Sequence, residues 1–260
     1  MDLPSGRWYH AIACIGKSVF LVGGYKNSSI EKFNVITRTF EKVSLLKKPR
    51  FSRPICRSSF GMCLHGTDSL LIAGGWVDDR DATTDHCFVF NTQFFTFWDV
   101  GSLETERCGH VLVNFNKEIF SIGGWKRDDY LSSIEVFDAS TENWKNTELK
   151  LVTGRRHHQA AVHKQFIYVL GGECRSCILD TIEKIDVAKR KVEVLKIKLK
   201  SKRSRFSVTK IKDDLFIFGG RTGDDWGATN STEVLNLETL EIKEGVKLQL
   251  PDRSFAACSL

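Results

Sequence analysis

The stretch Val19-Phe-Leu-Val-Gly-Gly24 is a four-residue apolar run that two glycines terminate. A run this short and this apolar indicates a β-strand buried on both faces. The glycines end the strand because they adopt backbone angles that a Cβ disfavours, and they let a neighbouring segment approach closely. The pattern returns at 70–75, 119–124, 167–172 and 215–220.

The glycine pairs recur every 48 to 51 residues, and a fixed period near 50 residues indicates a repeat architecture. We assign the pairs a structural role, as strand ends that need no ligand. They are Gly23 and Gly24, Gly74 and Gly75, Gly123 and Gly124, Gly171 and Gly172, and Gly219 and Gly220.

An arginine precedes the first glycine of each pair by sixteen residues, or by seventeen in the second copy. Three residues after the arginine stands a histidine or a phenylalanine, and small and apolar residues follow. This segment is predicted to be a first strand, with the glycine-terminated run returning from it as the second. The arginines are Arg7, Arg57, Arg107, Arg155 and Arg203, and the residues that follow are His10, Phe60, His110, His158 and Phe206.

A second constant spacing lies downstream of each glycine pair. Two large side chains stand seven residues apart around a polar turn, which predicts a hairpin of a third and a fourth strand. The pairs are Phe33 and Phe40, Phe90 and Phe97, Phe137 and Trp144, Ile185 and Val192, and Leu235 and Ile242. A glutamate stands two residues before the first member in four copies: Glu31, Glu135, Glu183 and Glu233.

Four strands per repeat of this length are the content of a β-propeller blade. The fold class is therefore all-β, a propeller with five complete four-stranded blades over the whole chain. The predicted blades span 5–50, 51–103, 104–151, 152–200 and 201–250, and 251–260 is the opening strand of a possible sixth. Two alternatives stay open: the ring closes with five blades, or a sixth blade is incomplete.

The combination of Arg-x-x-His, an apolar Gly-Gly, Glu-x-Phe and a trailing aromatic residue resembles the Kelch repeat. The third copy matches best, from Arg107 through Gly123 and Glu135 to Trp144. The resemblance covers essentially the whole chain. In the fourth and fifth copies, aliphatic residues replace the aromatic pair, so we expect weaker aromatic packing there.

The resemblance implies a protein-interaction module, similar to the propeller of Kelch-like adaptors that bind substrates for cullin-type ubiquitin ligases. The BTB and BACK parts of those adaptors are expected to lie outside this chain. Two alternatives are kept, an actin-binding Kelch protein and a Kelch-fold enzyme acting on sugars. We expect no catalytic residue, cofactor or metal, because no motif pairs a tyrosine with histidines as the copper oxidases of this fold require.

Antiparallel pairing brings the five repeat arginines to the same rim as the loops after the glycine pairs. We predict that this rim binds a protein partner, an acidic peptide or degron-like segment, since arginines and large aromatic residues carry most interface energy. The alternative is that each arginine braces neighbouring blades. Besides the arginines, the predicted face contains Tyr25, Trp76, Trp125, Arg127 and Trp226.

The remaining features are less specific. A net charge of +6 is too weak to indicate nucleic-acid binding, and no apolar stretch is long enough for a membrane span. The cysteines are irregularly spaced and no secretory signal is visible, so we expect a cytoplasmic protein, with a nuclear location also open. Cys174 and Cys177 lack further zinc ligands and are either ordinary loop thiols or a redox-sensitive pair.

Overall fold

The chain folds into five four-stranded antiparallel sheets in the computed structural model, which describes residues 5–45, 56–223 and 227–251. The strands of each sheet lie side by side in chain order, and the first strands of consecutive sheets contact one another. Such sheets are the blades of a β-propeller around a central axis. No helix occurs in the described residues, and the all-β prediction is confirmed.

Each sheet lies within one of the five spans given above. The strands are Ala11–Ile15, Ser18–Val22, Ile30–Asn34 and Thr39–Lys42 in blade 1; Gly61–His65, Ser69–Ala73, Cys87–Asn91 and Thr96–Val100 in blade 2; Val111–Phe115, Glu118–Ile122, Ser133–Asp138 and Asn143–Lys150 in blade 3; Gln159–His163, Phe166–Leu170, Thr181–Asp186 and Lys191–Lys198 in blade 4; and Ser207–Ile211, Asp214–Phe218, Thr232–Asn236 and Ile242–Glu244 in blade 5.

Short two-residue strands lie before and after the glycine pair of blade 2 and after that of blade 3, and they form small rim sheets. They are Arg57–Ser58, Trp76–Val77 and Ala82–Thr83 in blade 2, and Trp125–Lys126 and Asp129–Tyr130 in blade 3. The predicted opening strand at 251–260 and the first blade boundary, near residue 50, lie at residues that the structure does not describe. Closure by five or six blades therefore stays a prediction.

The seven-residue spacing marks residues that stand directly opposite each other on the third and fourth strands. Phe33 faces Phe40 in blade 1, Phe137 faces Trp144 in blade 3, and the aliphatic pairs of blades 4 and 5 occupy the same register. The Phe137 and Trp144 ring centroids lie 5.2 Å apart. The predicted hairpin is confirmed, and the aliphatic replacements keep the same backbone pairing.

The hydrophobic core of the described residues is divided into four clusters, one between each pair of consecutive blades from blade 1 to blade 5. Successive side chains of a strand point to opposite faces, so the second strand of blade 2 supplies two clusters. Leu70 and Ile72 pack towards blade 1, whereas Leu71 and Ala73 pack towards blade 3. All four side chains are fully buried, and each large one stabilises the fold by about 1.5–3 kcal/mol.

The glycine pairs join consecutive blades. The N–H of Gly75 donates to the carbonyl of Arg107 in the next blade at 2.8 Å, and Gly124 makes the same bond to Arg155. A Cβ on Gly74, whose φ is +61°, would lie 2.5 Å from the Arg107 carbonyl oxygen. The pair is therefore glycine both because its backbone is left-handed and because the next blade passes too closely for a side chain.

Candidate functional site

Arg107 lies inside blade 3 with none of its surface exposed. Its Nη1 donates to the Gly123 carbonyl at 2.7 Å, and its Nη2 forms a buried ion pair with Glu135. The same carboxylate accepts the backbone N–H groups of Glu104 at 2.8 Å and Thr105 at 3.1 Å. One arginine and one glutamate thus tie together the glycine pair, the third strand and the segment that enters the blade.

Three other blades repeat this unit. The ion pairs are Arg7 with Glu31 at 2.6 Å, Arg155 with Glu183, and Arg203 with Glu233 at 2.5 Å. Each arginine also donates to the carbonyl of the first glycine of its own blade. Burial lowers the pKa of Arg7, Arg107 and Arg155 from the usual arginine value, and the paired glutamate opposes that shift.

Blade 2 lacks the glutamate, and Phe88 stands in its place. Arg57 lies over the Phe88 ring, 5.0 Å from its centroid, and keeps its bond to the Gly74 carbonyl at 2.9 Å. Its Nη2 lies 3.1 Å from Nδ1 of His86, whose Nε2 is 3.0 Å from Asp99. Burial lowers the pKa of Arg57 to about 10, so the side chain stays charged at neutral pH.

The five repeat arginines do not form the exposed ring that the sequence analysis placed on the rim. Their exposed fractions are between 0% and 6%, and their guanidinium groups are bonded within the blade. This corrects their predicted placement: a side chain that reaches back to its own glycine carbonyl is drawn into the sheet rather than towards a partner. Any role of these residues in binding is therefore to support the loops above them.

The predicted aromatic residues do lie on the rim. Tyr25 is 40% exposed and stacks on Trp8, which is 66% exposed, with centroids 6.4 Å apart. Trp76 and Trp125, from neighbouring blades, lie 5.9 Å apart. Arg127 is also exposed. Trp226, the remaining member of the predicted face, lies outside the described residues.

Arg156 is the arginine that the sequence analysis missed, although it directly follows the repeat arginine of blade 4. Its guanidinium lies 4.9 Å from the centroid of Trp125 and 5.1 Å from that of Tyr130. Its Nε bonds to Glu173 at 2.8 Å, and 21% of its side chain is exposed. An arginine stacked on two aromatic rings at a rim is a typical recognition element.

Glu173 also contacts two further arginine side chains beside Arg156. The carboxylate is buried and lies 3.5 Å from Arg205 and 3.4 Å from Arg221, and it accepts the Ser204 hydroxyl at 3.2 Å. Arg205 also bonds to the Tyr9 hydroxyl, which links blade 5 to blade 1. Arg205 and Arg221 have further contacts besides these.

Among the described residues, a series of four backbone hydrogen bonds runs near the axis beside this cluster. It is formed by the residue two positions after each repeat arginine, and we call these residues the axial belt: Tyr9, Ser59, Gly109, His157 and Arg205. At the four junctions from blade 1 to blade 5, the belt N–H of the later blade donates to the belt carbonyl of the earlier one, at 2.7 to 3.0 Å. All five have φ between +51° and +63°, which strains the four that are not glycine. They line a cavity of about 110 Å³.

His110 and His158 pack between consecutive blades. A Cβ on Gly61 of blade 2 would lie 2.6 Å from Nε2 of His110, and one on Gly123 of blade 3 would lie 2.8 Å from Cε1 of His158. Burial, reinforced by the nearby repeat arginine, lowers the pKa of His158 to about 3 and shifts that of His110 well below 6.5. Both imidazoles are therefore neutral at physiological pH.

The sequence matches the models of two known repeat families. A model described as the KLHDC2/KLHL20/DRC7 Kelch-repeats domain matches residues 9–220, and a Kelch motif model matches residues 202–241. The chain belongs to the Kelch-repeat family. The Kelch repeats therefore account for the arginine, glycine-pair and hairpin pattern, and the predicted resemblance is confirmed.

Two kinds of curated protein are similar to part of this chain. Kelch-like protein 24 of Homo sapiens, like that of Rattus norvegicus, is 27% identical over 118 residues, which are 45% of this chain and 18% of the relative. The Rho GTPase-activating protein gacHH of Dictyostelium discoideum is 25% identical over 130 residues, 46% of this chain and 8% of the relative. The chain thus matches less than a fifth of each relative's length.

The Kelch repeats and the Kelch-like relative support a protein-interaction module. Within the part of the chain that the structure describes, no group of three or more histidine, cysteine or acidic side chains could hold a metal ion. The same part contains no helix long and apolar enough to cross a membrane.

Proposed function

We propose that the rim after the glycine pairs binds a carboxylate-bearing segment of a partner protein, and that this recognition serves substrate capture by a cullin-type ubiquitin ligase. The stacked Arg156 carries the first part of the proposal. The resemblance to Kelch-like adaptors motivates the second part.

The stack gives Arg156 the properties of a binding anchor. Trp125 and Tyr130 hold the guanidinium in place, so little side-chain entropy remains to be lost when a partner binds. Glu173 bonds Nε, and the terminal nitrogens are therefore the atoms that we assign to a partner carboxylate. Arginine pairs with carboxylates through two parallel hydrogen bonds, which gives orientation as well as affinity.

The aromatic residues around the rim supply apolar contact area. Trp8 and Tyr25 form one exposed pair on blade 1, and Trp76 with Trp125 forms a second across blades 2 and 3. Aromatic rings beside an arginine are the usual composition of interface hot spots. An acidic segment with one or two apolar side chains fits this surface best.

The test is partner capture from a lysate treated with a proteasome inhibitor, followed by affinity measurement on the captured segment. Trp125→Ala and Arg156→Ala should each weaken binding by about 2 kcal/mol, as hot-spot residues do. The matched control is Phe94→Ala, because Phe94 is 63% exposed in a turn on the opposite rim. Binding that survives Arg156→Ala, or falls equally with Phe94→Ala, contradicts the assignment.

The ligase part needs a separate measurement. We expect a cullin to be found with the full-length protein in cells, and the captured partner to accumulate when the Kelch protein is depleted. A partner whose abundance and ubiquitination do not change on depletion would contradict substrate capture while leaving the binding rim intact.

A further inference from the structure

Cys174 and Cys177 flank the tip of a tight hairpin on the rim of blade 4. The N–H of Cys174 donates to the carbonyl of Cys177 at 2.9 Å, and Glu173 pairs with Ile178 one step further from the tip. The two sulfur atoms lie 3.2 Å apart. Disulfide sulfurs lie about 2.05 Å apart, so a small approach of the two side chains is enough to join them.

Four other cysteines of the described chain lie in different surroundings. Cys56, Cys87 and Cys108 are buried, and burial raises the pKa of the last two to about 12. Burial also raises the pKa of Cys63. Thiols kept protonated in this way are poor nucleophiles, because the thiolate is the reacting form.

The hairpin pair, by contrast, is open to solvent, with Cys177 exposed and Cys174 half-buried. Partial burial alone would raise the pKa of Cys174, but hydrogen bonds with Cys177 and Ser176 lower it. The hydrogen bond with Cys174 correspondingly raises the pKa of Cys177. One thiolate is thus stabilised at Cys174 by the neighbouring thiol.

We infer that Cys174 and Cys177 are a reversible thiol–disulfide modification site that reacts with low-molecular-weight disulfides such as glutathione disulfide. The Cys174 thiolate attacks one sulfur of the disulfide, forming a mixed disulfide and releasing one glutathione thiolate. Cys177 then loses its proton and attacks Sγ of Cys174, releasing the second glutathione thiolate. Two electrons pass to the glutathione disulfide, which becomes two thiols.

Closing the tip would restrain a hairpin that contributes to the rim. Glu173, next to Cys174, holds Arg156, and Arg175 at the tip donates to the Asp128 carbonyl of blade 3 at 2.9 Å. A disulfide would hold these groups in place. We therefore expect oxidation to raise partner affinity several-fold by pre-organisation, a consequence that rests on the proposed function.

The chemistry can be tested without any partner. The folded, reduced protein is incubated with glutathione disulfide and analysed by intact mass and peptide mapping. We expect a product lighter by two hydrogen atoms with Cys174 joined to Cys177, while Cys56, Cys63, Cys87 and Cys108 stay reduced. Hydrogen exchange at the Cys174 amide should slow in this product, and a dithiol reductant should restore the original rate.

Single substitutions assign the two roles. Cys177→Ser should accumulate glutathione on Cys174, because the resolving thiol is gone, and Cys174→Ser should react at least several-fold more slowly than Cys177→Ser. Failure of the folded protein to form the Cys174–Cys177 bond, or preferential reaction at the buried cysteines, would overturn the site. If the bond forms and affinity for a captured segment is unchanged, only the effect on binding is wrong.

Discussion

Blades 2 and 3 both bury an arginine beneath the glycine pair, but they stabilise its charge differently. Arg107 contacts a carboxylate directly, whereas Arg57 contacts His86 and the face of Phe88. Both arginines bond the carbonyl of the first glycine of the pair. The comparison indicates that the bond to the glycine carbonyl is the shared requirement, and that the glutamate is one of two ways to satisfy the remaining guanidinium nitrogens.

The largest expected effect on stability comes from replacing the buried arginine of blade 3, compared with the same replacement in blade 2. Arg107→Met leaves Glu135 buried without its cation, and a broken buried pair typically costs about 3–5 kcal/mol. Among the described residues, Arg57 contacts no carboxylate directly, so Arg57→Met leaves no buried carboxylate unpaired. We therefore expect the free energy of unfolding to fall by about 1–3 kcal/mol, which is typical of a lost charged hydrogen bond. Denaturant unfolding measures both values.

A second substitution separates charge from shape. Adding Glu135→Gln to Arg107→Met removes the unpaired charge and keeps an acceptor for the amides of Glu104 and Thr105, so stability should partly recover. Equal losses for Arg57→Met and Arg107→Met, or no recovery in the double variant, would mean that the carboxylate does not distinguish the two blades.

The next largest expected effect is a pH dependence of stability. It distinguishes blades with a histidine three residues after the repeat arginine from blades with a phenylalanine there. His110 and His158 occupy the position of Phe60 and Phe206, and their pKa values in the folded state are lowered. The unfolded chain therefore binds more protons, and stability falls as the pH drops below about 6.5. Each histidine contributes about 1.4 kcal/mol per pH unit until its folded-state pKa is approached.

The test is the double variant His110→Phe with His158→Phe, compared with the parent protein in thermal unfolding between pH 7.5 and pH 5.5. We expect similar melting temperatures at the upper pH and a higher one for the variant at the lower pH. An unchanged pH slope would show that other groups, such as His10 or His157, dominate the titration.

The smallest effect is expected for an exposed ion pair. Arg190, in the turn before the outer strand of blade 4, lies 2.8 Å from Glu148 on the outer strand of blade 3, and most of each side chain is in solvent. Arg190→Ala should cost about 0–1 kcal/mol and less in high salt. A loss as large as that of Arg107→Met would indicate that burial is not the reason why breaking the Arg107–Glu135 pair lowers stability so much.

Much of the fold was predictable because repetition fixes it. The glycine pairs, the seven-residue spacings and the strand count follow from residues only a few positions apart, and their physical causes are local. The seven-residue spacing of pairs such as Phe137 and Trp144 directly predicts which residues face each other across the hairpin. The described sheets therefore fall where the spacing predicts them.

The site was less predictable, for reasons that concern distance along the chain. Arg107 and Glu135 are both visible in the sequence as recurring positions, but their contact joins residues 28 positions apart and depends on which way the arginine turns. The belt position carries Tyr, Ser, Gly, His and Arg, so no residue type marks it. Arg156 likewise has no counterpart at its position in the other blades.

The axial belt bears on how such a protein can change its number of repeats in evolution. Each of the four belt bonds runs from one blade's N–H to the carbonyl of the blade before it, so each of blades 2, 3 and 4 contributes one donor and one acceptor. A duplication of one whole repeat therefore adds a complete link wherever along the repeat the copied DNA begins. A duplication of part of a repeat adds a glycine pair without its arginine, or the reverse, and leaves a junction unmade. Selection for intact junctions is thus sufficient to keep the repeat length near its present period.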